Sequence, residues 1–520
     1  MNDTESQIDQ SPLRYKPKNK LALLRIVAAT CVACSGGLMW GYDSGVISGV
    51  LSLESFHKHF DVAKGDSKVS STSVSLLQAG GFFGALFMSP IAERFGRRMT
   101  MIATACVFLI GAIMQVAGGG GLPLFYVGRV VAGLGVGGAT MVIPTYVAEV
   151  VPKNIRGLLM GLWQFFIVTG VTVSYWVDYG VNLHMTGDSQ WRTPLGVQMV
   201  PAGMLIAGAL VLKESPRWLT KHHQESRGLE NLAYLRGLSP DHPDVQAEYQ
   251  EIYVSIVHER EVSGDATWRE MILPGNRKRV LLGFIIMCCQ QFSGTNAIGY
   301  YAPQIFEAVG VSSTSTGLFA TGLYGVVKMV MTMLLCLIAI ERLGRKVCLV
   351  GGGFLMGGFM VTIGALLKTH PPDSTELSSA SYGMVVCIYL YVTAYCFSWG
   401  PVPWIYASEI YPNRLREYCV ALCSASQWLF NFVVTEFSPY ALNSMGWGIF
   451  ILFAGFNFAN MLFALFFLPE TTNKTLEEMD KIFGVPTAID NEQVRSAAAQ
   501  EASDKHGTEF VENVEHHNKS

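Results

Sequence analysis

Three ionisable side chains stand inside long apolar runs: Asp43, Arg129 and Lys328. If those runs cross a bilayer, each charge costs about 2.5–3.5 kcal/mol or more and is by default a functional candidate. Asp43 lies about 10 Å from the outer end of its run near residue 50, at 1.5 Å per residue. Arg129 lies about 10 Å from the outer end of its own run near residue 122 by the same rise. Opposite charges at matching depth can pair. Such a carboxylate can carry a coupled proton while the guanidinium sets its proton affinity; the other possibility is a static structural pair. Lys328 stands mid-run in Gly325-Val326-Val327-Lys328. Its ammonium could hold a substrate carboxylate directly, pair with a protein carboxylate, or face a polar cavity near Ser and Thr.

Composition says what must position these groups. Of 520 residues, 50% are apolar and only 15% charged, with 53 glycines, whereas soluble domains are about 25% charged. Mean hydropathy is +0.32. These values exclude a soluble multidomain enzyme, a disordered chain and a disulfide-built fold, and they fit a helical membrane protein. A formal net charge of −3 gives no reason to expect a nucleic-acid partner. The eleven cysteines sit almost entirely in apolar runs, with no spaced set in a polar loop. Neither a disulfide framework nor a metal site is expected. No nucleophile–base set or phosphate loop appears either, so no catalytic residue, cofactor or enzyme activity is expected.

Twelve runs are long enough to cross a bilayer at about 20 residues each. They fall at 26–50, 72–92, 99–119, 122–148, 157–180, 195–213, 279–308, 317–340, 347–367, 382–408, 418–441 and 446–468. One set of loops carries Arg94, Arg97 and Arg98, then Lys153 and Arg156, Arg342, Arg345 and Lys346, and Arg414 and Arg416. The opposite loops at 309–316 and 442–445 carry no Lys or Arg, although 51–71 holds Lys58, Lys64 and Lys68. The asymmetry places the basic loops and both termini in the cytoplasm. Residues 1–21 read as a cytoplasmic tail without a cleavable signal pattern. Residues 214–278 read as a cytoplasmic helical linker, and 471–520 as a mostly disordered cytoplasmic tail. Asp178, at the outer end of span five, reads as interfacial and solvated.

The chain repeats itself. Glu93-Arg94-Phe95-Gly96-Arg97-Arg98 after span two returns as Glu341-Arg342-Leu343-Gly344-Arg345-Lys346 after span eight. Glu149–Arg156 after span four returns as Glu409–Arg416 after span ten. Glu214-Ser215-Pro216-Arg217 ends span six, and Pro469-Glu470-Thr471-Thr472 ends span twelve. Two six-helix halves follow, 22–213 and 279–470, as in transporters whose substrate site lies between halves near the midplane. Orientation alone needs no Glu. The expectation is therefore a gating network of ion pairs at the cytoplasmic face, built from Glu93, Arg97, Arg98, Glu149, Arg156, Glu214, Arg217, Glu341, Arg345, Glu409, Arg416 and Glu470.

The sequences GYDSGVISG (41–49), ERFGRR (93–98), GRVVAGLGVGG (128–138), ESPRWL (214–219), QQFSGTNAIGYY (290–301), ERLGRK (341–346), GPVPW (400–404) and PETT (469–472) resemble the sugar porter family of the major facilitator superfamily. The likeness runs from about residue 22 to 483. Ser89 and Glu93 stand where the family usually has Gly and Asp. The resemblance implies an all-α membrane fold of twelve helices, alternating access and a monosaccharide-like substrate. Carried over, polyol-binding positions are Gln164, Gln290, Gln291, Asn296 and Trp404, with Gln427 where relatives often have Asn. Amides supply donors and acceptors to a polyol, and an aromatic face covers the apolar side of its ring. Proton-coupled members have Asp at position 43, where uniporters commonly have Asn. Lys328 and the linker resemble the fungal quinate and sugar-acid branch. The expected function is import of a monosaccharide or sugar acid with protons, by a monomer in the plasma membrane. A passive facilitator and a transporter-like nutrient sensor are the alternatives.

Overall fold

The computed structural model describes residues 20–152, 155–262, 271–272, 274–311, 313–338, 344–371, 378–411, 415–471 and 482–483. The described residues form helices, turns and loops and include no strand. In chain order the helices are α1 (Lys20–Val50), α2 (Glu54–Phe60), α3 (Ser67–Phe95), α4 (Arg97–Ala117), α5 (Gly121–Val150), α6 (Arg156–His184), α7 (Asp188–Val197), α8 (Met199–Val211), α9 (Pro216–Lys221) and α10 (Glu225–Arg236). There follow α11 (Pro243–Val262), α12 (Pro274–Phe292), α13 (Thr295–Tyr300), α14 (Ala302–Ala308), α15 (Thr314–Ile338), α16 (Arg345–Thr369), α17 (Ser379–Phe397), α18 (Val402–Ile410), α19 (Arg416–Met445) and α20 (Gly448–Phe467).

Among the described residues, eleven stretches are long and apolar enough to cross a membrane. The twelfth expected span, 279–308, is three helices rather than one. It breaks at Gly294, which adopts φ +92°, and again at Tyr301 before Pro303. Spans six and ten are also interrupted, the first at Gln198 ahead of Pro201 and the second over residues 398–401 ahead of Pro403. Proline explains these sites, because it removes the N–H that would bond the carbonyl four residues back. The expected linker helices are present as α10 and α11. The loop expected at 51–71 contains the short helix α2.

Within the first half, α1 packs on α6, and α3 and α4 both pack on α5. Without a water-driven force between helices in lipid, small residues that permit close approach hold such pairs together. A row of glycines one turn apart on α1 does this. Gly37, Gly41, Gly45 and Gly49 face Trp163, Ile167, Ser174 and Asp178 of α6 in turn. In the second half α16 packs on α20 and α17. The halves meet along α3–α19 and α6–α15.

A methyl group at Gly41 would drive into the backbone carbonyl of Ile167. Gly41→Ala should cost about 1–3 kcal/mol through overpacking. A thermal melt of the detergent-solubilised protein should show a lower midpoint, and an unchanged melt would mean that the α1–α6 seam is not tight.

Candidate functional site

The charged pair forms. Arg129 Nη1 on α5 lies 2.8 Å from Asp43 Oδ1 on α1, and both side chains are 0% exposed. Arg129 Nε donates to the Ser73 carbonyl of α3 at 2.8 Å. Asp43 Oδ2 and Arg129 Nη2 have no hydrogen-bond partner. One carboxylate oxygen and one guanidinium nitrogen of the pair are thus left without a hydrogen bond.

The amides of span seven form a chain. Gln290 Nε2 donates to the carbonyls of Trp399 (2.9 Å) and Gly400 (2.7 Å), at the break in span ten. Gln291 donates to Gln290 Oε1 at 3.2 Å. Asn296 Nδ2 donates to Gln291 Oε1 at 2.7 Å and to Asn431 Oδ1 at 3.2 Å. Asn431 Nδ2 donates to Gln78 Oε1 of α3 at 2.9 Å, and Gln78 Nε2 donates to the Tyr300 hydroxyl at 3.0 Å. The chain runs from the break in span ten, through α12 and α13, across to the other half. Asn431 is a member that the sequence reading missed. It lies one helical turn from Gln427 on α19, a spacing that marks a shared face. Gln427 is buried, with its Oε1 unpartnered. Asn296, Gln164 on α6 and Trp404 on α18 are half-buried.

Lys328 is on α15, one turn beyond Gly325, whose carbonyl accepts the Thr172 hydroxyl of α6 at 2.9 Å across the halves. Its ammonium lies 5.8 Å from the Tyr395 ring centroid. Tyr391, one turn from Tyr395, donates to the Ser293 carbonyl at 2.7 Å and bonds Thr295, so this aromatic face abuts the amide chain. Among the described residues no carboxylate pairs with Lys328. The residue is only half-buried.

Asp178 is not solvated. It is 0% exposed and neither oxygen is hydrogen-bonded. The expectation failed because α6 continues past it to His184 and α1 covers it with Gly49.

On the basic face the repeat appears as matched geometry. Arg97 pairs with Glu149 at 2.8 Å and Glu93 at 3.4 Å, and Glu214 accepts the backbone N–H groups of Arg97 and Arg98 at 3.0 and 3.1 Å. In the second half Arg345 pairs with Glu409 at 2.8 Å, and Glu470 accepts the N–H groups of Arg345 and Lys346, each at 3.0 Å. Each carboxylate caps a helix N-terminus, where the dipole favours negative charge. Burial pushes the Glu214 carboxyl up, against the lowering effect of the Ser215, Arg98 and Arg97 N–H groups. The Arg98 side chain instead bonds the Ala209 and Leu210 carbonyls at the end of α8. Arg217 lies in the first turn of α9. Each of these ion pairs joins helices of one half. Glu341 and the side chains of Arg156 and Arg416 lie outside the described residues.

The model of the family "Sugar (and other) transporter" matches residues 29–483. The chain belongs to this family of major facilitator transporters. It is therefore a multi-pass membrane transporter and not an enzyme. It is 37% identical over 471 residues to a quinate permease of Emericella nidulans, covering 88% of each chain. It is 35% identical over 477 residues to a quinate permease of Neurospora terricola, covering 89% of each. The proton:xylose symporter XylE, solved with 6-bromo-6-deoxy-D-glucose, superposes with TM-score 0.74 at 27% identity, over 89% of this chain and 99% of that one. The partially occluded inward-open form of XylE from E. coli gives 0.73 at 28% identity, over 87% and 100%.

The two amide positions should separate on mutation. Gln290→Ala strips partners from two buried carbonyls and should destabilise by about 1–3 kcal/mol. Asn296→Ala, on a half-buried side chain, should raise the KM for uptake with a smaller loss of melting temperature. Equal thermal losses would remove the distinction.

Proposed function

We propose that this transporter imports a ring acid bearing several hydroxyls, quinate- or galacturonate-like, together with a proton. The observation that carries the reading is the Lys328 ammonium beside Tyr395, without a carboxylate partner among the described residues. An unpaired cation within a membrane helix is costly. A substrate carboxylate would supply the missing charge, and charge-assisted bonds to such a group are the strong ones. The amides Gln291, Asn296 and Gln427, with Gln164 opposite, suit the hydroxyls, and Trp404 suits the ring face. Gln290 positions the break in span ten. The relatives named quinate permease support the acid.

Asp43 is the proton carrier and Arg129 its partner. Protonation of Asp43 ends the charge attraction and frees Arg129 for its Ser73 contact alone. The relative titled a proton:xylose symporter supports coupling. The basic loops fix the orientation, with the Arg97 and Arg345 clusters and both termini in the cytoplasm of a plasma-membrane protein. The two clusters brace the inner ends of their own halves. Gln78, Tyr300 and Asn431 close the pathway on the outer side.

The test is uptake in a transporter-deficient yeast of labelled glucose, xylose, galacturonate and quinate at acidic pH, with and without a protonophore. Acid uptake should be protonophore-sensitive. Lys328→Met should lower acid uptake about tenfold or more relative to neutral sugar, equivalent to about 1.4 kcal/mol. If acidic and neutral substrates fall together, the carboxylate role is wrong. Asp43→Asn should abolish accumulation against a gradient, and full coupling in that variant would refute the proton role.

A further inference from the structure

We propose that Asp178 is a second proton-binding site, placed outward of Asp43 along the α1–α6 seam; this rests on the proton-symport reading above. The Asp178 carboxyl is sealed from solvent and both oxygens lack a hydrogen bond. Gly49 of α1 lies directly against the carboxyl. A carboxylate in this position has no compensating charge or hydrogen bond, and burying one without either is costly. A merely structural polar residue would be expected to find partners.

The surroundings give the proton a way in and a way on. Facing Asp178 are the Tyr42 hydroxyl of α1, which donates to the Pro194 carbonyl at 3.0 Å, and Tyr175 of α6. Tyr175 donates to the Gly299 carbonyl of α13 at 2.8 Å and so ties this cover to the other half. The charged groups of α7 are engaged elsewhere: Asp188 pairs with Arg192 and His59, each at 3.1 Å. When α13 moves away, Tyr175 loses its acceptor and the cover over Asp178 opens outward. A hydronium then gives its proton to the Asp178 carboxylate and leaves as water. Inward, Gly49 and Asp43 are six residues apart on α1, about 9 Å along the axis. The Ser174 hydroxyl, against Gly45, and the buried Ser48 hydroxyl lie along that interval. Proton transfer to the Asp43 carboxylate returns Asp178 to its charged form for the next cycle.

The experiment compares wild type, Asp178→Asn and Asp178→Glu in proteoliposomes, measuring the initial rate of substrate-driven proton uptake and the dependence of net uptake on external pH. Asp178→Asn should slow proton uptake and flatten the pH dependence between acidic and neutral pH. Unchanged values of both would overturn the proposal. If Asp178→Asn does not fold, Asp178→Glu decides: a displaced pH midpoint supports the site and an unmoved one overturns it. Protonophore-insensitive wild-type uptake would sink the symport reading itself. Protonophore-sensitive wild type with an unaltered Asp178→Asn profile would sink this site alone.

Discussion

In hydrocarbon every backbone N–H and C=O must find a partner inside the protein. The breaks in this chain's helices show the consequence. Pro403 cannot donate to the Trp399 carbonyl, and Gln290 of another helix takes it together with that of Gly400. Pro303 cannot donate to the Gly299 carbonyl, and Tyr175 of the other half takes it. At Gly294 the Ser293 carbonyl accepts from both Tyr391 and Asn457, and the Cys289 carbonyl accepts from Asn460. Amides and hydroxyls are therefore concentrated at the breaks, because irregular backbone requires them there. The candidate site is built largely from groups that satisfy this backbone.

The same constraint acts at the helix ends on the basic face. Glu214 and Glu470 occupy equivalent places, each taking the first N–H groups of a helix from the other end of its half. Arg97 and Arg345 then bind Glu149 and Glu409. Each half is braced internally by a capping carboxylate and an Arg–Glu pair at matching places. A rocking motion can leave these bonds intact, since they do not stretch when one half tilts against the other.

The sequence reveals what depends on long averages and repeats. Hydropathy located eleven of the spans because twenty residues of apolar composition are hard to place elsewhere. The ion pairs of the basic face were legible because Glu-Arg-x-Gly-Arg followed by a basic residue occurs twice. The breaks were not legible as breaks, since Gly294 and residues 398–401 are flanked by apolar residues that keep the average high. Asn431 was missed because a single amide in a membrane helix does not stand out without its neighbours. Asp178 was misread because nearness to the end of a run says nothing about which helix face a residue occupies. The row from Gly37 to Gly49 was present in the sequence, and only its packing against α6 shows that the fourth member faces the Asp178 carboxyl.

The positions of these groups also bear on how proton and substrate can communicate. Arg129 bonds Asp43 of α1 and the Ser73 carbonyl of α3. Gln78 is five residues along α3 from Ser73 and bonds both Tyr300 and Asn431 of the other half. Asn431 in turn accepts from Asn296, which holds Gln291. One run of short contacts therefore joins the charged pair to the amides through a single helix. Coupling requires both ligands to bias the same two-state element, and α3 is the helix that both sets of contacts share. In the proposed symport, a proton on Asp43 ends its charge attraction to Arg129 and leaves Arg129 held by the Ser73 carbonyl of α3 alone. A substrate hydroxyl that competes for Asn296 would loosen the hold on Asn431, and through it on Gln78 of the same helix.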